Sequence, residues 1–263
     1  LAESIVIEGR DLTRRFGGLA AVSHCSLTLN KGDLNGLIGP NGAGKTTVFN
    51  LITGVLAPTS GDVIVAGENL TGRSPWRYAA AGIARTFQNI RLFNELSVKE
   101  NVMCGAHRRH GEGLVASVLR TGRFLRSEHA IAERAEAALE LVGLARFRHH
   151  RAGDLSYGDQ RRVEIARALA TEPVALMLDE PAAGLNPTET AILIDLIRRL
   201  NAEFGLTVLL VEHDMRLVME LCRNIHVLNR GETIAVGTAA EIQSHPAVIE
   251  AYLGLRRKGI THA

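Results

Sequence analysis

Residues 39–47 read Gly-Pro-Asn-Gly-Ala-Gly-Lys-Thr-Thr, a full match to G-x-x-x-x-G-K-[ST]. They follow the apolar run Leu34–Ile38 and open a helical pattern at Lys45. Few short patterns constrain a fold so tightly, because this one demands a strand, a turn that glycines permit and a helix whose N-terminus faces a ligand. Gly39, Pro40, Asn41, Gly42, Ala43 and Gly44 form a loop whose backbone N–H groups can converge on phosphate oxygens, and the helix start adds partial positive charge. In this pattern Lys45 reaches the β and γ phosphates of a nucleotide and the Thr46 hydroxyl goes to Mg²⁺, with Thr47 completing the cradle. Asn35 is a polar residue in the preceding strand and needs a hydrogen-bond partner there.

Further strand candidates are 5–8, 26–29, 63–66, 174–178, 208–211, 225–228 and 233–236. Helical spacing runs through 45–53, 159–170, 187–204 and 214–222. Strands alternating with helices predict an α/β chain with a mostly parallel sheet covered on both faces, and a β-rich opening. From about Ser97 to Gly143 the pattern changes: no strand is evident, and Ile131, Ala135, Ala138, Leu139 and Val142 recur at helical spacing. This predicts an inserted helical subdomain. Within it Gly105–Ser127 is basic, with His107, Arg108, Arg109, His110, Arg120, Arg123 and Arg126, and reads first as a solvated loop and helix face, with a phosphate or lipid contact as the alternative.

Val174–Leu178 ends in Asp179 and Glu180. The carboxyl end of a parallel strand is where ligands meet open α/β sheets. Neighbouring strand residues point to opposite faces, so the two acids should have different jobs. Asp179 fits a Mg²⁺-side role, and Glu180 fits the base that polarises an attacking water. The competing reading of the pair is a helix N-cap before Pro181. The strand 207–211 ends in Glu212-His213-Asp214, which brings His213 to the same sheet edge if the strands are parallel.

The composition narrows the field further. The chain has 263 residues, 46% of them hydrophobic, enough for a sizeable core. A formal charge of +2, from 30 basic and 28 acidic side chains, makes no case for a nucleic-acid-coating surface. The longest apolar run, Val174–Leu178, is far short of the roughly 20 residues of a spanning helix. No export signal is evident at Leu1–Arg10. Cys25, Cys104 and Cys222 are odd in number and far apart, which suggests neither a disulfide framework nor zinc.

Leu155-Ser156-Tyr157-Gly158-Asp159-Gln160-Arg161-Arg162, which opens a helix 111 residues after Lys45 at Ser156, resembles the signature motif of ABC ATPases. With that resemblance, Gln88 looks like the family's Q-loop glutamine, Ala183–Asn186 like its D-loop and His213 like its switch histidine. Phe16 looks like the aromatic residue that stacks on adenine. The motifs stand in family order from about Glu8 to Gly254. The resemblance implies a P-loop NTPase fold with a RecA-like core, an antiparallel β subdomain and an inserted α-helical subdomain. These lie in one domain over 4–254, with 97–170 helical and a tail over 255–263. It also implies ATP and Mg²⁺ as ligands. Glu180, His213, Gln88 and Lys45 are then catalytic, and Thr46, Gln88 and Asp179 lie around the metal. The nucleotide is held by Phe16, by the loop 39–47, and by Ser156 and Gly158 across an ATP-dependent dimer.

Tyr157, Asp159 and Asn186 depart from the usual motif residues, and an acid at Asp159 beside a triphosphate is unfavourable unless it points away. Together with the ending Glu250-Ala-Tyr-Leu-Gly254 they look like one branch, the ATP-binding subunits of branched-chain or hydrophobic amino-acid importers. That branch implies separate membrane permease subunits, a solute-binding protein, a second ATPase subunit and a peripheral place on the cytoplasmic side of the inner membrane. The alternatives are an ATPase of lipopolysaccharide export, a soluble ABC protein of translation or DNA repair, and an ATP-binding subunit that does not hydrolyse.

Overall fold

The computed structural model describes residues 4–110 and 122–258. Residues 111–121 of the basic segment 105–127, Arg120 among them, therefore lie outside the described residues, as do the first three residues and the tail beyond 258. Among the described residues the strands form two sheets. β1 (Ile5–Phe16), β2 (Leu19–Asn30), β4 (Ser60–Val65) and β5 (Glu68–Asn69) make an antiparallel sheet in the order β2-β1-β4-β5. β3 (Leu34–Ile38), β6 (Ile83–Arg85), β7 (Ala175–Asp179), β8 (Thr207–Val211), β9 (Asn224–Asn229) and β10 (Glu232–Gly237) make the second, in the order β10-β9-β3-β8-β7-β6. It is parallel except for β10.

The central strands β3, β7 and β8 of the second sheet are buried on both faces, as their continuous apolar runs require. Leu37, Met177, Leu209 and Val211 point to one core cluster, shared with Phe49, Leu51 and Ile52 of α1 (Lys45–Ile52) and with Ile7, Leu27 and Val63 of the antiparallel sheet. Ile38, Leu176, Leu178 and Leu210 point to the other. That cluster gathers α3 (Val98–His110), α4 (Gly122–Leu141), α5 (Tyr157–Leu169), α6 (Pro187–Phe204) and α7 (Met215–Leu221). The period-2 alternation along each strand thus divides the molecule into two cores on either side of one sheet.

Several elements differ from expectation. β1 and β2 are each 12 residues long, because a ladder of backbone hydrogen bonds carries the chain well past the short apolar runs visible in sequence. β6 is only three residues long and gives no periodic signal, and Val174 precedes β7 rather than opening it. The short helices α2 (Pro75–Ala80) and α8 (Ala239–Ser244), with α9 (Pro246–Lys258), were not foreseen. The buried Asn35 finds its partner two residues back, its Nδ2 donating to Asp33 Oδ2 at 3.4 Å.

In the helical part, Ile131, Ala135, Ala138, Leu139 and Val142 are buried against Val98, Val102 and Ala106. Asn101 pins the entry to α3. Its Oδ1 accepts the Phe93 N–H at 2.8 Å, and its Nδ2 donates to Phe93 O and Ser97 O, each at 3.0 Å. Asn101→Ala should cost about 2 kcal/mol through these orphaned groups. A Tm lower by about 4–8 °C is the expected reading in a thermal melt.

Candidate functional site

β3 runs between β8 and β9, so the loop 39–44 leaves the middle of the parallel sheet at its carboxyl edge. Gly39 has φ 152°, and a Cβ there would lie 2.2 Å from Leu228 O. Gly44 caps α1 with φ 100°, and a Cβ there would lie 2.7 Å from Ala21 O. Neither position admits a side chain, which ties the loop down on β9 and β2. Lys45 is buried, and its Nζ donates to Gly39 O at 2.7 Å and Pro40 O at 3.1 Å. Burial pushes its pKa down, and the charge of Glu180 opposes that. The cleft over this loop holds about 570 Å³ and is lined by Leu19, Ala20, Ala21, Asn41, Gly42, Ala43, Gly44, Lys45, Thr46, Thr47, Glu180 and Arg230.

β7 and β8 are parallel neighbours in register, Asp179 beside Val211, so the residues that follow both strands meet at one edge. The Glu180 N–H donates to Val211 O at 2.9 Å, and its φ is +45°, a left-handed conformation that costs a non-glycine residue energy. The N-cap reading of the acid pair fails here, since the next helix begins at Pro187, with Asn186 as its cap. Two side chains converge on one carboxylate oxygen of Glu180. Gln88 Nε2 donates to Glu180 Oε2 at 2.8 Å, and His213 Nδ1 lies 3.8 Å from the same atom. A carboxylate so placed beside a phosphate cradle can accept a proton from water, held in line by an amide and an imidazole.

Asp179 points the other way and is buried, 3.7 Å from Arg85, whose guanidinium lies over the rings of Phe49 and Phe87. Burial pushes the Asp179 carboxyl up, and Arg85 acts against that. The hydroxyl of Thr46, the amide oxygen of Gln88 and the carboxylate of Asp179 are hard oxygen donors of the kind Mg²⁺ takes. Phe16 ends β1, half exposed, with the Arg14 guanidinium 4.7 Å from its ring centre. It does not line the cleft itself, but Leu19–Ala21, just beyond it in the hairpin, do.

Ser156 caps α5, accepting the Asp159 N–H at 3.2 Å, while neither Ser156 nor Gly158 lines the cleft over Lys45. The three unusual residues each have a local reason. The Asp159 carboxylate turns away from the helix start to pair with Arg162. Tyr157 lies over Gly184, where an added Cβ would meet its ring at 3.1 Å. Asn186 forms a capping box with Glu189 at the start of α6, a task Asn performs as well as Asp.

Two functional positions escaped the sequence reading. Glu212 is buried, and its carboxylate accepts the N–H groups of Ala182 at 3.0 Å and His213 at 3.2 Å, which joins the turn after Glu180 to the histidine. Burial pushes its pKa up, and those N–H groups oppose the shift. Arg161 is fully buried. Its Nη1 donates to Phe87 O and its Nη2 to Gln88 O, both at 2.7 Å, and Nη1 also pairs with Glu164 at 2.9 Å. The available signal was a charged residue on the inward face of a helix, which residue type alone assigns to the surface.

A family model described as ABC transporter matches residues 22–183, and one described as branched-chain amino acid ATP-binding cassette transporter matches 232–255. The high-affinity branched-chain amino acid transport ATP-binding protein LivG of Salmonella typhimurium is 48% identical over 243 residues, covering 92% of this chain and 95% of that protein. BraF of Pseudomonas aeruginosa, of the same description, is 48% identical over 249 residues, covering 95% and 98%. Among solved structures, the ADP conformation of an ATP-binding cassette of an ABC transporter superposes with a TM-score of 0.82. It is 33% identical, covering 95% of this chain and 99% of that one. A dimeric cassette in a post-hydrolysis state, bound to ADP and Pi, gives 0.74 at 26% identity, covering 89% and 98%. A strand-turn-helix phosphate loop, an acid at the end of the neighbouring strand and matches over most of the chain lead to one conclusion: the chain belongs to the ABC transporter family, as an ATP-hydrolysing cassette.

Proposed function

We propose that this chain powers an importer of branched-chain amino acids or closely related small solutes from the cytoplasmic face of the inner membrane. Its partners are separate permease subunits, a solute-binding protein and a second ATPase subunit, either another copy or a related chain. The observation that carries the catalytic part is the meeting of Gln88, Glu180 and His213 on one carboxylate oxygen at the rim of the phosphate-loop cleft. The solute class is supported by the C-terminal match at 232–255 and by the relatives' transport descriptions. Among the described residues no helix is long and apolar enough to cross a membrane, so a transport role calls for membrane partners.

In this reading the N–H groups of residues 39–47 hold the β and γ phosphates of ATP, and Lys45 exchanges the carbonyls of Gly39 and Pro40 for phosphate oxygens. Thr46, Gln88 and Asp179 supply the donors for Mg²⁺, whose chemistry when bound is to offset charge on the β and γ phosphates. Glu180 takes the proton of the attacking water, and His213 and Gln88 keep its carboxylate aimed. The adenine lies toward Phe16 and Leu19. Ser156 and Gly158 act on the γ-phosphate held by the opposite subunit, as a helix N-terminus can.

The test is purification from membranes in mild detergent, followed by reconstitution with the co-purifying subunits. ATPase activity should rise severalfold on adding the solute-binding protein loaded with leucine, isoleucine or valine. Activity indifferent to every aliphatic amino acid, or a preparation free of membrane subunits, would remove the solute assignment and leave the ATPase untouched.

A further inference from the structure

Thr46, Gln88 and Asp179 stand on three separate stretches of chain, and the side chain of Arg85 joins the framework of all three. Arg85 ends β6, three residues ahead of Gln88. Its Nη1 donates to Asn50 Oδ1 and to Thr53 Oγ1, each at 3.0 Å, and these residues lie on and just after α1, the helix that carries Thr46 in its first turn. Its Nη2 lies 3.7 Å from Asp179 Oδ2. Phe49 of α1 and Phe87 each place a ring centre 4.8 Å from its central carbon, which fixes the plane of the fork. The strand ends are fastened beside it, since the Thr86 N–H donates to Met177 O at 2.9 Å and the Asp179 N–H to Thr86 Oγ1 at 3.4 Å.

Two details distinguish Arg85 from a residue placed for stability alone. Its Nε is sealed from solvent and, among the described residues, has no hydrogen-bond partner, an arrangement that costs free energy. Its distance from Asp179 is longer than a hydrogen bond, so the charge draws the carboxylate toward one orientation while the oxygen lone pairs stay open to a cation. We propose that Arg85 is a positioning residue for the Mg²⁺-side donors: one guanidinium braces α1, β6 and β7 so that Thr46, Gln88 and Asp179 turn their oxygens to a single cation. This rests on the reading that the cleft takes ATP with Mg²⁺.

Arg85→Lys keeps the charge, but one ammonium cannot serve Asp179 and both partners near α1 together. With the full chain, the Kd of a fluorescent ATP analogue in EDTA should stay within about twofold of the parent, while the Mg²⁺ concentration that gives half of the metal-dependent gain in binding should rise about tenfold. Asn50→Ala leaves the buried ion pair intact and removes one brace, so the same midpoint should rise about threefold with Tm within about 4 °C of the parent. A parent-like midpoint in Arg85→Lys, or a loss of affinity equal with and without Mg²⁺, makes Arg85 a packing residue and overturns the proposal. Should Arg85→Lys fail to fold, Asn50→Ala decides alone, and a parent-like midpoint there overturns it. A parent chain whose binding gains nothing from Mg²⁺ would overturn the reading of the metal donors, and this proposal with it.

Discussion

Glu180→Gln should hydrolyse ATP at least about 10²-fold more slowly than the parent while binding ATP with an affinity within about threefold. The substitution preserves size and leaves an oxygen for the Gln88 amide, but an amide cannot take a proton from water. Phosphate release and nucleotide binding, measured side by side, separate this from Lys45→Ala, where loss of the phosphate cation should weaken binding itself. Blocked hydrolysis has a second consequence. Ser156 and Gly158 start α5 yet stay out of the cleft over their own Lys45, and in the proposed reading a second chain brings its α5 to complete the phosphate site. With MgATP, Glu180→Gln should therefore accumulate as a dimer by light scattering, alone or with the related ATPase subunit. A monomer under both conditions would refute the two-chain site, and hydrolysis within about threefold of the parent would remove Glu180 as the base.

Much of this site is legible in residues that obey local rules. The phosphate loop is visible because its glycines have no alternative: Gly39 and Gly44 sit where a Cβ would strike backbone oxygens of β9 and β2. Glu180 and His213 are visible because parallel, in-register β7 and β8 carry whatever follows them to the same edge. What escaped depends on contacts between distant segments. β6 is held by Ala175–Met177 of β7, and its three residues contain no pattern of their own. Glu212 and Arg161 are charged residues in buried places, and their burial is decided by the backbone groups they satisfy rather than by their type. Asp159 illustrates the same limit from the other side. Its sequence position suggested an acid facing a triphosphate, and only the pairing with Arg162 across one helical turn removes the conflict.

Arg161→Met should be the most destabilising single change outside the hydrophobic cores, by about 3–5 kcal/mol. It strands Glu164 in a buried place with only Arg167, 3.9 Å away, as a cation, and leaves the carbonyls of Phe87 and Gln88 without their donors. Burial already pushes the Glu164 carboxyl up, and the charge of Arg161 is the foremost of the influences holding it down. A Tm lower by about 6–20 °C is the expected melt. The double variant Arg161→Met with Glu164→Gln divides two roles that the single change confuses. It removes both buried charges together, so most of the lost stability should return, since replacing a whole buried pair is far cheaper than breaking one. The carbonyl of Gln88 still has no anchor on α5, so its side chain should no longer be held on Glu180. Stability near that of the parent with ATPase activity reduced about tenfold or more would show that Arg161 couples α5 to the catalytic carboxylate. Full activity in the double variant would reduce Arg161 to a packing residue, because a helix with no hold on Gln88 would then serve the reaction equally well.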